Sequence, residues 1–389
     1  MIRVMRCRRC AGYVVALAVL AQVSLQAVPP AQDARERARQ LIQRADAAAA
    51  AGRAAEAVTL LEAAEREAPR WPELKVNLAA ARSNAGDYAG AAAAARAALA
   101  LNPSLDGARF NLGIALLKSG DAPGAAVALA PYADAPAPPA VHAALGLAWM
   151  QMDRASDAAP VLQRSLDGGM RERDTLLAAG RAWVRAGDPK RARGALRLLE
   201  GEAGSWVHTL LLAGDVADAG GDWGAAATHY RAALESEPDS AQAHYSLGLV
   251  LYKQRDYDEA ARELGSALRL SPAHVPAHYY LALLELDRGN AARGAELLTR
   301  AVELAPGRAD VVRDLGRARL DLDDIEHALP TLRRAISLAP EDPSAWFLLG
   351  RALQRNGNPD EARVALDRAT KLNQQFRDKL EKRVSGVKR

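Results

Sequence analysis

Cys7 and Cys10 stand in a C-x-x-C spacing, the separation at which two thiolates share a zinc or exchange with a disulfide. Arg3, Arg6, Arg8 and Arg9 surround them, and no other cysteine exists to complete a zinc site. His274 and His278 are four apart, which on a helix puts two imidazoles on one face. Pro276 between them marks a helix start and leaves His274 in the preceding loop. His278 also shares its place in a recurring pattern with His142 and His244, so a structural role is expected for it rather than metal ligation. Asp321-Leu322-Asp323-Asp324 is an acidic run in a turn, and helix capping accounts for it better than calcium does. No G-x-S-x-G, G-x-G-x-x-G or G-x-x-x-x-G-K-[ST] motif occurs. The expectation is therefore no catalytic residue, no cofactor and no metal.

What must position any site is a period of 34 residues. Leu247-Gly248 recurs as Leu281-Ala282, Leu315-Gly316 and Leu349-Gly350, and backwards as Ala213-Gly214, Ala179-Gly180 and Leu145-Gly146. One step of 33 reaches Leu112-Gly113, followed by Leu78-Ala79 and a degenerate Arg44-Ala45. Twelve residues after each small residue comes another: Ala57, Ala91, Ala125, Ala158, Ala192, Ala226, Ala260, Gly294, Ala328 and Ala362. Small side chains at two fixed places let paired helices cross closely, where a larger one would cost about 1–3 kcal/mol by overpacking.

Each period holds two helices. Between them falls Gly86-Asp87, Gly120-Asp121, Gly187-Asp188, Gly221-Asp222, Gly289-Asn290 or Gly357-Asn358. Gly closes a helix in the left-handed conformation, and Asp or Asn caps the next one. Pro69, Pro103, Pro238, Pro272, Pro306 and Pro340 end second helices, since proline cannot continue them.

Residues 343–376 supply Trp346, Leu349, Gly350, Leu353, Ala362, Leu366 and Ala369 to the eight preferred positions of the tetratricopeptide repeat family, with Gln374 in the place of its Pro. Residues 241–274 supply His244, Leu247, Gly248, Leu251, Ala260, Leu264, Ala267 and Pro272. The chain resembles that family over ten repeats: 38–71, 72–105, 106–138, 139–172, and on in steps of 34 to 376. The resemblance implies an all-α fold, a right-handed superhelical solenoid of helix-turn-helix repeats. The third repeat ends in the Pro-Ala-rich stretch 131–139 and the fifth has Gly204 in place of its Pro, so a bend is expected near 131–139 or 200–206 but no domain boundary.

Residues 1–27 have a basic start, an apolar stretch from Ala11 to Val23 and a small residue at Ala27, the make-up of an export signal. Cleavage after Ala27 leaves a linker, 28–37, and an exported or periplasmic protein of a bacterial cell. Gln22, Ser24 and Gln26 make the segment a poor membrane span; a retained leader would instead anchor the chain in the inner membrane. The four leader arginines account for the whole formal net charge of +4. The mature chain is then neutral, nothing draws it to a polyanion, and nucleic acid is not an expected partner. Residues 371–389 hold seven basic and two acidic side chains, and 377–389 are expected to form a basic capping helix and tail.

The resemblance also implies that the first helix of each repeat lines an inner face, through its second, fifth, ninth, twelfth and thirteenth residues. The expected groove is Tyr245, Leu249, Tyr252, Lys253, Tyr279, Leu283, Arg313, Arg317, Arg351 and Arg355. Tyr and Arg dominate binding hot spots. An apolar groove with a basic end suits an extended or helical protein segment with acidic groups. The plainer alternative packs the rings between repeats and pairs the arginines with neighbouring Asp and Glu. Asn77 and Asn111 lack the lysines of a carboxylate clamp, so a chaperone-tail receptor is not expected. In the first half, Ala49, Ala50, Val76, Ala80, Phe110, Ile114, Leu117, Ala143, Leu147 and Met150 would form an open apolar face for a partner helix or a second copy. The expected function is a non-catalytic protein-interaction scaffold or adaptor in the cell envelope. The alternative is an accessory subunit of an envelope enzyme or of a secretion or glycan assembly complex.

Overall fold

Helix is the only regular structure in the computed structural model, which describes residues 32–203 and 206–386. The proposed leader with Cys7 and Cys10, the first residues of the expected linker, Gly204 and residues 387–389 lie outside the described residues.

The chain forms two compact units that part at Gly220–Gly221, between the helices of the sixth repeat. The N-terminal unit contains α1 (Gln32–Ala50), α2 (Ala54–Glu67), α3 (Pro72–Asn84), α4 (Tyr88–Leu101), α5 (Asp106–Lys118) and α6 (Ala122–Leu129). It continues with α7 (Pro139–Gln151), α8 (Ala155–Asp167), α9 (Arg173–Arg185), α10 (Pro189–Ala203) and α11 (Val207–Ala219). The C-terminal unit contains α12 (Trp223–Ser236), α13 (Ala241–Gln254), α14 (Tyr257–Leu270), α15 (Val275–Asp287), α16 (Ala291–Leu304) and α17 (Ala309–Asp321). α18 (Ile325–Leu338), α19 (Pro343–Arg355) and α20 (Pro359–Gly386) complete it.

The small residues act as expected of crossing points. Gly316 on α17 lies against Leu332 on α18, and a Cβ there would fall 2.5 Å from Leu332 Cδ2. Leu332 is fully buried because that Cβ is missing, and Ala328 beside it is equally buried. A leucine so enclosed contributes about 1.5–3 kcal/mol through burial alone.

The turn between paired helices has one conformation throughout. Its fifteenth-place residue takes the left-handed region at Gly52, Gly86, Gly120, Gly187, Gly221, Gly289 and Gly357. Asp153, Arg255 and Asp323 occupy the same slot with φ of 57°, 65° and 60°, although they carry a Cβ. The slot is demanded by the hairpin, and glycine is only its usual occupant. Asp87, Asp121, Asp222, Asp256 and Asp324 follow it and accept from backbone N–H groups three residues on. Asn290 does not cap as expected; its amide donates instead to Glu285, at 2.8 Å.

Two segments depart from expectation. Residues 32–37, expected in the linker, are the opening turns of α1, a stretch free of Pro and Gly, and Ala38 is fully buried. No separate capping helix follows the tenth repeat: α20 runs 28 residues without a break. Gln374 stands where other repeats have proline, so nothing stops the helix. The third repeat closes with a 3₁₀ turn, Ala130–Tyr132. Tyr132 there hydrogen-bonds Asp106 and meets the Phe110 ring edge-on at 4.7 Å.

Phe110, Ile114, Leu117, Leu147 and Met150, expected to line an open apolar face, are half-buried against the N-terminal core, and Val76 and Ala143 are buried outright. Ala49 and Ala80 are half-buried as well and Ala50 is exposed, so the strip is less open than expected. Its side chains fill the gaps between successive first helices. No described helix is long and apolar enough to cross a membrane.

Candidate functional site

The histidines set aside as metal ligands have another use. In three repeats the fourth-place residue donates a ring N–H to a carbonyl of the loop before it: His244 to Pro238 at 3.0 Å, His278 to Pro272 at 3.0 Å, Trp346 to Pro340 at 2.9 Å. His142 reaches Tyr132 O at 3.1 Å, and Arg109 bonds Pro103 O in the same way. Each side chain pins the proline-terminated loop to the helix that follows. Among the described residues no three His, Cys, Asp or Glu converge as a metal site. Asp324 in the acidic run holds the His327 backbone and ring.

The expected groove lies within the C-terminal unit, on α13, α15, α17 and α19. Tyr245, Leu249, Tyr252, Lys253, Tyr279, Leu283, Arg313, Arg317 and Arg351 are all half-buried, and Arg355 is exposed. The tyrosines form one connected cluster. Tyr280 is its hub, with ring centroids 5.8 Å from Tyr252, 5.4 Å from Tyr279 and 6.4 Å from Tyr245. Tyr257, the first residue of α14, reaches Tyr252 at 5.7 Å, and His274 lies against Tyr245 at 4.6 Å. Tyr280 and Tyr257 fall outside the inward places expected from the repeat register. The signal that could have found Tyr280 is its adjacency to Tyr279 one repeat beyond Tyr245.

Tyr279 is committed to structure. Its hydroxyl donates to Asp314 Oδ2 at 2.9 Å, and the Arg308 guanidinium sits 5.2 Å above its ring. Burial, followed by the charge of Asp314, pushes that hydroxyl well above the ordinary phenol range. Burial, followed by the charge of Asp287, also raises Tyr252.

The basic end is largely neutralised where it stands. Arg313 donates to both Asp314 oxygens, at 2.9 and 3.1 Å, and to Asp342 at 3.0 Å, so it ties α17 to the start of α19. Burial works against the Arg313 charge, and the bonds to Asp314 and Asp342 outweigh it. Arg355 donates to Leu320 O at 2.6 Å and lies 3.6 Å from Asp323. Arg317 has only distant carboxylates, Asp287 and Asp321, both at 3.9 Å. Arg351 makes no ion pair among the described residues. Two of the four arginines, Arg317 and Arg351, therefore keep charge to offer. Both stand in the ninth place of adjacent repeats.

Arg317 lines an open cleft of about 430 Å³, together with Arg313, Phe347, Leu348 and Asn373 among others. Phe347 is 48% exposed, unusually so for a large apolar ring. It occupies the fifth place of the tenth repeat, the place of Tyr245 and Tyr279.

No curated protein matches the chain. Among solved structures it is similar to MamA from Desulfovibrio magneticus RS-1, at 20% identity over 43% of this chain and 96% of that one, with a TM-score of 0.41. YrrB, described as a TPR protein with an unusual peptide-binding site, matches at 21% identity over 46% of this chain and 92% of its own, with a TM-score of 0.42. A chain of the APC/C hetero-tetramer Cut9–Hcn1 matches at 14% identity over 92% and 88%, with a TM-score of 0.43. The family model described as tetratricopeptide repeat matches residues 76–141, 211–272, 249–309 and 313–375, more than half of the sequence. With its 34-residue hairpins and their shared turn, the chain belongs to the tetratricopeptide repeat family.

Proposed function

We propose that this protein-interaction scaffold is non-catalytic and receives a partner segment on the first-helix face of its C-terminal unit. The observation that carries the proposal is the connected set of half-buried rings, Tyr245, Tyr252 and Tyr280, with a cleft lined by the exposed Phe347 further along the same unit. Rings of this kind offer large, stiff contact area with a hydroxyl at the rim. The segment is extended or helical. Its acidic groups, if it carries them, meet Arg317 and Arg351 rather than Arg313 and Arg355, whose guanidiniums are already bonded. Residues 1–27 serve as an export signal in this proposal, which makes the working location the bacterial envelope, facing the periplasm. A basic start followed by a short apolar stretch supports that.

The test is affinity capture from the native cell's envelope fraction with the full chain, beside Tyr245→Ala/Tyr252→Ala and Arg317→Ala/Arg351→Ala variants. Partner retention should fall at least tenfold with the tyrosine pair and less with the arginine pair, while helicity stays at the wild-type level. Undiminished capture by a folded tyrosine variant rules this face out. Mass measurement of the protein from its own cells tests the export signal: a mature chain beginning at Val28 is expected, and one retaining residues 1–27 places the scaffold on the membrane instead.

A further inference from the structure

We propose that His274 makes the tyrosine face acid-sensitive: the neutral imidazole holds the face in its observed arrangement, and protonation releases it. This rests on the tyrosine face being the binding surface. His274 is the N-cap of α15, and its Nδ1 accepts the Ala277 N–H at 3.1 Å. Ser240 fills the same place before α13 and Asp342 before α19, and both cap through oxygen, accepting from Ala243 and Ser344. Those oxygens still accept when the pH drops below neutral, whereas an imidazole nitrogen accepts only while its lone pair is free. Histidine is not a favoured cap, so its presence in a slot served by Ser and Asp nearby is a departure with a chemical consequence.

The capping ring is also a terminal member of the aromatic cluster. It lies 4.6 Å from Tyr245, and Tyr245 leads through Tyr280 to Tyr252 and Tyr279. A proton on Nδ1 turns the acceptor into a donor aimed at another donor, Ala277 N–H. It also places a cation at the positive end of the α15 dipole. Both effects drive the ring out of the cap, and Tyr245 loses its support.

The groups around His274 do not counter this. On α15 itself the next titratable group is His278, which donates to Pro272 O. α13 presents Tyr245. On α14, Glu263 is held by His244 at 2.6 Å and Arg269 by Ser266 at 2.8 Å. Beyond α16, Arg308 and Asp310 bond each other. Among the described residues no carboxylate lies within ion-pair distance of His274. Burial, opposed by its own backbone hydrogen bond and aided by His278, holds the imidazole below its ordinary 6.5. The unfolded chain therefore binds this proton first. The cap's contribution is complete above pH 6.5 and is lost as the pH falls below it.

The test is NMR of the full chain carrying ¹³C-labelled tyrosine and histidine rings, titrated from about pH 7.5 to about pH 5. Tyr245 and Tyr280 signals should move together with His274, with a midpoint below 6.5. His274→Asn keeps an oxygen acceptor at the cap and cannot titrate, so the same tyrosine signals should stay still in that variant. Tyrosine inflections that persist in His274→Asn, or a His274 that titrates while Tyr245 and Tyr280 stay fixed, overturn the inference. No partner is needed for these readings. A binding face disproved by capture therefore leaves them intact, and their failure leaves the binding face intact.

Discussion

Tyr279 and Asp314, 35 residues apart, are joined by a 2.9 Å hydrogen bond from phenol to carboxylate that crosses from one repeat to the next. Asp314 is buried and also takes both arms of Arg313, which passes on to Asp342. Four side chains from two successive repeats thus form one polar chain. Asp314 is its centre, because it alone faces both a hydroxyl and a guanidinium. Asp314→Ala strands the Tyr279 hydroxyl and leaves Arg313 only Asp342 in a half-buried site, and should cost about 2–4 kcal/mol. Tyr279→Phe removes one bond and should cost about 1 kcal/mol. Urea unfolding of the two variants checks the ranking; equal losses would mean that Asp314 is not the centre.

Trp346 tests the loop pin. Trp346→Phe keeps an aromatic ring but removes the N–H that bonds Pro340 O at 2.9 Å. A loss of about 1 kcal/mol is expected, with faster amide exchange confined to the turn before α19. Unchanged exchange there would make the ring a packing residue alone.

Arg255 holds a left-handed conformation with φ 65° in a slot that seven other repeats fill with glycine. A Cβ in that region costs roughly 1–2 kcal/mol, partly offset by the greater unfolded-chain freedom of glycine. Arg255→Gly should therefore stabilise the C-terminal unit by about 1 kcal/mol, read as a rise in denaturation midpoint at unchanged slope. A fall in the midpoint would mean that the arginine side chain contributes more than its backbone costs.

The hairpin register was legible in the sequence because each of its determinants is local. Gly316 admits Leu332 sixteen residues later, the fifteenth-place residue turns the chain, and Pro272 or Pro306 ends a helix, all within one period. The continuous α20 was legible too, in the missing proline at Gln374, once a helix with no stop is allowed to run on.

The availability of the candidate side chains was only partly legible, because beyond near neighbours such as Asp314 beside Arg313 it is decided about one repeat away. Arg313 and Arg351 are the same residue type on the same kind of helix. Asp342 closes on the first from 29 residues downstream, and among the described residues no carboxylate closes on the second. Tyr280 is likewise an ordinary sixth-place residue until the stacking of α13 on α15 brings Tyr245 and Tyr252 to its ring. Composition and spacing along this chain determine that hairpins form and where they turn, since those energies arise between residues close in sequence. Which charges are cancelled and which rings meet depends on distances of a few ångströms between neighbouring hairpins. Only the packed tertiary structure sets those distances.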